Sequence, residues 1–145
     1  NKFGLQTKFI ELAHQTNLDV QKFIIAKITK HLKILKNKKI LIIGVAYKKN
    51  IDDCRESPSI TIISELIRKG SKVSYHDPFV KEVKIKNKIL VSLSLNKINL
   101  QKKIIILTTD HDDVNYKKIL QYGKIIFDSR GVYKNSKSNK KIHLI

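Results

Sequence analysis

Residues 40–46 read Ile-Leu-Ile-Ile-Gly-Val-Ala, an apolar run dominated by β-branched side chains. A run of this length without polar alternation describes a strand buried on both faces, the condition of an inner strand in a parallel sheet. After a polar loop from Tyr47 to Pro58, the segment Ser59 to Lys69 places Ile60, Ile63, Leu66 and Ile67 on one helical face, and Gly70 supplies the stop. Ser71 to His76 then reads as a second strand, with Val73 and Tyr75 alternating and Asp77-Pro78 closing it. A strand, loop, helix and strand in this order form a right-handed crossover unit, the building block of doubly wound α/β sheets.

The rest of the chain continues the alternation. Lys88 to Leu93 reads as a short strand or the approach to a helix, Lys103 to Thr108 as a buried strand, Asp112 to Gln121 as a helix and Lys124 to Phe127 as a short strand. The expected class is therefore α/β, a Rossmann-like parallel sheet with helices on both faces. Ahead of it, apolar residues recur at three- and four-residue steps from Leu5 to Leu35, among them Leu12, Val20, Phe23, Ile24, Ile28 and Leu32. This predicts one long helix, or two that break near Thr16 to Asp19, serving either to oligomerise or to pack on its own domain. From Lys134 the composition turns polar and basic, which reads as a fraying tail.

Charge at first points elsewhere. The 30 basic and 12 acidic residues give +18, a balance expected of nucleic-acid or anionic-surface binders. Yet only Arg55, Arg68 and Arg130 are arginine, and lysine is spread through every segment without interleaved aromatics. A compositional bias toward lysine and isoleucine accounts for most of the charge. No apolar run approaches a membrane span. Cys54 stands alone, and the histidines at 14, 31, 76, 111 and 143 lack metal-ligand spacing, so no metal is expected. The chain opens on Asn1 without a charged and apolar leader, so a cytoplasmic fragment of a longer protein is expected.

Function in a doubly wound sheet gathers outside the carboxyl ends of the strands. After the first strand comes GVAYKKNIDDCRESPS, with Gly44 but no GxGxxG, so the usual pyrophosphate turn for NAD is missing. The loop instead offers Lys48, Lys49 and Arg55 ahead of a helix start at Ser57-Pro58, a set suited to a phosphate or diphosphate. Arg130 follows the final predicted strand and can reach the same crevice, whereas Arg68 reads as a surface charge. Asp52 and Asp53 are expected to bond loop backbone or pair with Arg55, Cys54 to be a small buried hydrophobe, and Thr109-Asp110-His111 to form a turn and helix cap.

Four blocks, GVAYKKNIDDCRESPS, YHDPFV, LTTDHDD and FDSRGVY, give residues 40–133 a pattern that resembles the C-terminal half of the UDP-glucose/GDP-mannose dehydrogenase family. FIELAHQTN looks like that family's central helix, and the wording of the first two blocks is most similar to UDP-N-acetyl-hexosamine 6-dehydrogenases. The resemblance implies a dimerisation helix over 1–35, a UDP-sugar-binding domain over 36–133 and a basic tail over 134–145. It implies an enzyme that oxidises a sugar C6 alcohol twice, to the uronic acid, with two NAD and a cysteine thiohemiacetal, for polysaccharide precursors. Carried over by motif, Tyr47, Lys48 and Arg130 match substrate-binding positions, and Arg55 matches an arginine that reaches NAD. The glycine-rich blocks for NAD and for the catalytic cysteine are missing and Cys54 is not that cysteine, so the resemblance implies no catalytic residue here and no turnover by this chain alone. Homodimers and a UDP-sugar are the implied partners, with neither nucleic acid nor membrane. The competing expectation is a non-catalytic basic nucleic-acid-binding or dimerisation module.

Overall fold

A computed structural model describes residues 7–136 and 139–145. Its centre is a five-stranded parallel sheet built from β1 (Lys39–Ile43), β2 (Lys72–His76), β5 (Ile104–Leu107), β6 (Ile125–Asp128) and β7 (Ile142–Leu144) in the order β2-β1-β5-β6-β7. The apolar run at 40–43 becomes the inner strand β1 because strand geometry sends its side chains alternately to two cores. Ile40 and Ile42 join Ile24, Ile28, Ile62, Ile63 and Leu66 on one side, while Leu41 and Ile43 join Ile105, Leu107, Ile119 and Ile126 on the other. Helices α1 (Thr7–Leu32) and α2 (Pro58–Arg68) cover the first face; α3 (Lys97–Leu100) and α4 (Tyr116–Tyr122) cover the second.

The long N-terminal periodicity forms one helix with no break at Thr16 to Asp19; its expected start at Leu5 lies outside the described residues. Among the described side chains of α1, the buried apolar ones are Ile24 and Ile28. Leu12, Val20 and Phe23 are at least half exposed, so the apolar surface of α1 exceeds what its own domain covers.

Of the two readings of Lys88 to Leu93, the strand holds: it is β4 (Lys88–Val91), which pairs antiparallel with an unexpected β3 (Glu82–Ile85) in a separate hairpin. Two expectations need correction. The predicted helix at Asp112 starts only at Tyr116, because Asn115 caps it by accepting from the Lys118 amide. The segment expected to fray from Lys134 carries a 3-10 turn at Lys134–Ser136 and then β7, which adds to the β6 edge of the sheet; Lys137 and Ser138 of that segment lie outside the described residues. Ile142 is the residue that makes the strand worthwhile, since it enters the second core.

The two ends of the sheet differ in charge. Lys39 and Lys72 open β1 and β2, while Lys103, Lys124 and Lys141 directly precede β5, β6 and β7. The segments 33–39, 69–72, 101–103, 123–124 and 139–141 hold no acidic residue. Eight of the 12 acidic residues, Asp52, Asp53, Glu56, Asp77, Asp110, Asp112, Asp113 and Asp128, fall instead in segments at or just beyond the carboxyl ends of strands.

Burial also sets an acid limit on stability. It pushes the His76 imidazole below its ordinary pKa, and it does the same to His143, which His31 faces. For such groups the stabilisation is complete above the unfolded histidine value, about 6.5, and is lost as pH falls through the folded values. Melting temperature is therefore expected to drop between about pH 7 and pH 5. Replacing both histidines by glutamine should flatten that slope in a calorimetric scan; an unchanged slope would refute the assignment.

Candidate functional site

Strand order reverses at β1: the chain passes from β1 to β2 on one side, and later returns to β5 on the other. The crevice outside the carboxyl ends of β1 and β5 is therefore the topological switch point, where ligands bind in open α/β sheets. Two segments flank it, Gly44–Ser57 after β1 and Thr108–Asn115 after β5.

Gly44 starts the first segment with φ at +81°, and a Cβ there would overlap the Thr109 carbonyl group. The next two amides, of Val45 and Ala46, donate to Asp77 Oδ2 at 2.7 and 3.1 Å. These are the amides that a dinucleotide pyrophosphate would need in a glycine-rich turn. With a protein carboxylate already on them, the β1 turn does not fit NAD, in keeping with the missing GxGxxG. The start of α2 is occupied in the same way. Ser57 Oγ accepts from the Ser59 amide, the Ile60 amide donates to the Ser57 carbonyl, and Pro58 has no N–H. The sequence had pointed to this helix start as part of an anion site, but its amides are committed to the protein.

Four cationic side chains, Lys48, Lys49, Arg55 and Arg130, belong to the segments that follow β1 and β6. Lys48 sits with its Nζ 5.9 Å from the centroid of the Tyr47 ring, and Tyr47 is 47% exposed. Arg55 is clasped by Asp53, with Nε and an Nη 3.0 and 2.8 Å from its carboxylate oxygens, and its side chain is otherwise exposed. The same guanidinium pulls the Asp53 carboxyl down to about 2. Arg130 reaches from the end of β6 to Asp110 beyond β5, Nε to Oδ1 at 2.9 Å, and its two Nη atoms make no hydrogen bond among the described residues. Lys49 pairs with Asp112 at 2.6 Å. Among these four cations Lys48 alone has no carboxylate partner among the described residues. Arg130 is thus held by Nε with both Nη atoms unused among the described residues, a geometry suited to a bidentate acceptor, and Lys48 is an ammonium without a carboxylate partner among them.

Cys54 is half-buried against the first core and lines a cleft of about 270 Å³ between α1 and the loop, together with Asn17, Gln21, Tyr47 and Ser57. Gln21 Oε1 in that cleft is buried without a hydrogen-bond partner among the described residues. No sequence signal marked Gln21, since it stands on the same helical face as Ile24 and Ile28. No group of three or more metal-ligating side chains occurs among the described residues.

The principal residues missed by sequence reasoning are Asp77 and His111, whose side chains are fully buried beneath the crevice. Besides Val45 and Ala46, Asp77 accepts from Phe79 and Val80, each at 2.9 Å through Oδ1, and His111 Nε2 lies 3.0 Å from Oδ2. Burial alone would push the Asp77 carboxyl up, but the amides of Val80, Val45 and Phe79 and the adjacent imidazole hold it below the ordinary carboxylate range. His111, expected to serve only a turn and cap, instead joins β2 to the segment after β5, and its Nδ1 accepts from the Asn50 amide at 2.9 Å.

A parallel α/β domain with an unpaired Lys48 and a singly engaged Arg130 near its switch point has an arrangement suited to an anionic ligand. The chain belongs to the UDP-glucose/GDP-mannose dehydrogenase family: residues 41–135 match the family's UDP binding domain. A UDP-N-acetyl-D-mannosamine dehydrogenase of Methanocaldococcus jannaschii is 33% identical over 108 residues, 73% of this chain and 23% of that protein. A UDP-glucose 6-dehydrogenase of Rickettsia bellii is 33% identical over 140 residues, 90% of this chain and 32% of that protein. The chain thus spans less than a third of these relatives. In fold it is similar to a UDP-glucose dehydrogenase from Pyrobaculum islandicum, with a TM-score of 0.68 at 21% identity over 90% of this chain and 30% of that one. No helix among the described residues is long and apolar enough to cross a membrane.

Proposed function

We propose that this chain is the UDP-binding part of a cytoplasmic, NAD-dependent UDP-sugar 6-dehydrogenase, which oxidises a UDP-hexose or UDP-N-acetyl-hexosamine to its uronic acid for polysaccharide precursors. Tyr47, Lys48 and Arg130 bind the nucleotide sugar, and Arg55 extends toward a cofactor held by the rest of the enzyme. The observations that support the reading are that Lys48, after β1, has no carboxylate partner among the described residues, and that Arg130, held by Nε on Asp110 after β5, leaves its two Nη atoms without a hydrogen bond among them. A diphosphate offers the two negative centres that such a pair neutralises, and Tyr47 offers a ring face beside them. The β1 turn, with its amides on Asp77, leaves NAD to another part of the protein. The exposed Leu12, Val20 and Phe23 on α1 support a homodimer through the N-terminal helix, since they form apolar surface that this domain leaves uncovered.

Calorimetric titration with UDP tests the site. The chain is expected to bind UDP, with Lys48→Ala and Arg130→Ala each weakening it by about tenfold, while Arg55→Ala leaves UDP affinity as it was. Equal affinity in all three variants, or no binding by the parent, overturns the assignment. Incubated with UDP-glucose or UDP-N-acetyl-D-mannosamine and NAD, the chain alone is expected to form no NADH; measurable turnover would show that it holds a catalytic residue after all.

A further inference from the structure

We infer that Asp77 and His111 are positioning residues for the candidate site, which together pin both ends of the Tyr47-Lys48-Lys49 tripeptide over the β1–β5 crevice while His111 is neutral with its proton on Nε2. The upstream pin is Asp77 Oδ2, which holds the amides of Val45 and Ala46. The downstream pin is His111 Nδ1, which accepts from the amide of Asn50. The two are one unit, since His111 and Asp77 touch at 3.0 Å with both side chains fully buried.

The tautomer follows from the bonds. An amide N–H can donate to Nδ1 only if that nitrogen carries a lone pair, so the ring proton is on Nε2 and is donated to Asp77. A second proton on Nδ1 would face the Asn50 N–H, donor against donor, and that bond would be lost. The titratable and charged groups around the ring are Asp77 in front of it, Asp110 and Asp112 on its own segment, His76 at the end of β2 and Lys49, which pairs with Asp112. The Phe79 ring, centred 5.1 Å away, closes another side and offers no hydrogen-bond acceptor. Asn50 itself holds φ at +60° and exchanges side-chain bonds with Asp112, so it marks a defined turn at the tip of the loop. Releasing its amide leaves the downstream end of the segment that carries Tyr47 and Lys48 held only by these exposed side-chain bonds and the Lys49–Asp112 pair. The consequence for nucleotide affinity rests on the reading of those two residues as UDP contacts.

Amide hydrogen exchange on the full 145-residue chain, without nucleotide, tests the pin at about pH 8 and about pH 5. Three proteins are compared: the parent, His111→Asn and His111→Phe. In His111→Asn the Oδ1 atom stands near the position of Nδ1 and accepts from Asn50 at either pH; phenylalanine accepts nothing. Corrected for the intrinsic rate, protection of the Asn50 amide in the parent is expected to fall about tenfold at the lower pH. It should be independent of pH in His111→Asn and lost at both pH values in His111→Phe, with Ile42 and Ile106 still protected as evidence of the folded sheet. Should His111→Phe fail to fold, the parent and His111→Asn decide the matter. Asn50 protection that ignores pH in the parent, or that falls equally in His111→Asn, overturns the inference. Titration with UDP at the same two pH values is read separately, and affinity is expected to weaken as Asn50 loses protection. Because exchange is measured without ligand, failure there leaves the UDP assignment standing, and absence of UDP binding with the expected exchange pattern overturns only that assignment.

Discussion

Asp77→Ala is expected to destabilise the domain by about 3–5 kcal/mol, measured as the loss of unfolding free energy in urea. The carboxylate is the common acceptor for four backbone amides and one imidazole, and its side chain has no exposed surface. Alanine would strand the amides of Val45, Ala46, Phe79 and Val80 together, and the cost of a buried donor without a partner exceeds the net worth of the bond it had. Asp77→Asn should recover only part of the loss, because its carboxamide cannot present acceptors to both pairs of amides. The sign of the pH dependence is also fixed. The folded Asp77 pKa lies below the unfolded one, so its contribution is complete above the unfolded value of about 3.9 and is lost as pH falls through the folded value. A cost near 1 kcal/mol or less would show that water replaces the carboxylate and that Asp77 is not the keystone of the crevice.

Gly44→Ala is the second change with a large expected effect, about 3–5 kcal/mol. Two penalties combine at this position. The backbone has φ at +81°, and an added Cβ would press on the Thr109 backbone and on Thr109 Cβ, 2.6 Å away. Gly131→Ala separates the two contributions. There φ is +71° but no atom of the described residues lies within 4 Å of an added Cβ, so the conformational cost of about 1–2 kcal/mol is the one that applies. Thermal unfolding of both variants measures the difference. Equal losses would mean that the Thr109 contact yields without cost.

The sequence is most legible where a local signal and the tertiary environment agree. Ile40 to Ile43 announce an inner strand because both faces of β1 meet apolar cores, and Pro58 with Ser57 marks the start of α2 because capping is a matter of neighbouring residues. Arg55 and Arg130 could be singled out by the scarcity of arginine together with their places past strand ends, which Arg68, within α2, lacks. Other features depend on distant partners. β7 is three residues within a lysine-rich stretch, and only the exposed edge of β6 makes Ile142 to Leu144 a strand. In the β3–β4 hairpin Lys84, Lys86 and Lys88 dilute the alternation of Val83 and Ile85. Asp77 and His111 are separated by 34 positions and meet only because β2 and β5 flank β1. Nothing within either local segment could show that pairing. The anion-binding helix start expected at Ser57 failed for a related reason: the sequence marks a cap, but whether amides remain beyond it is decided by the Ser57 carbonyl and side chain.

The lysines that lead into all five sheet strands, opposed to acids gathered beyond the strand ends, give the domain a permanent electric axis along the strand direction. In a negatively charged chromatography matrix such a body does not tumble freely at the surface; it settles with its lysine end down. The crevice between β1 and β5 then faces the mobile phase, so the immobilised domain should keep its access to small anions while its sheet entrance is masked, a natural orientation for a sensor surface that needs no engineered tether.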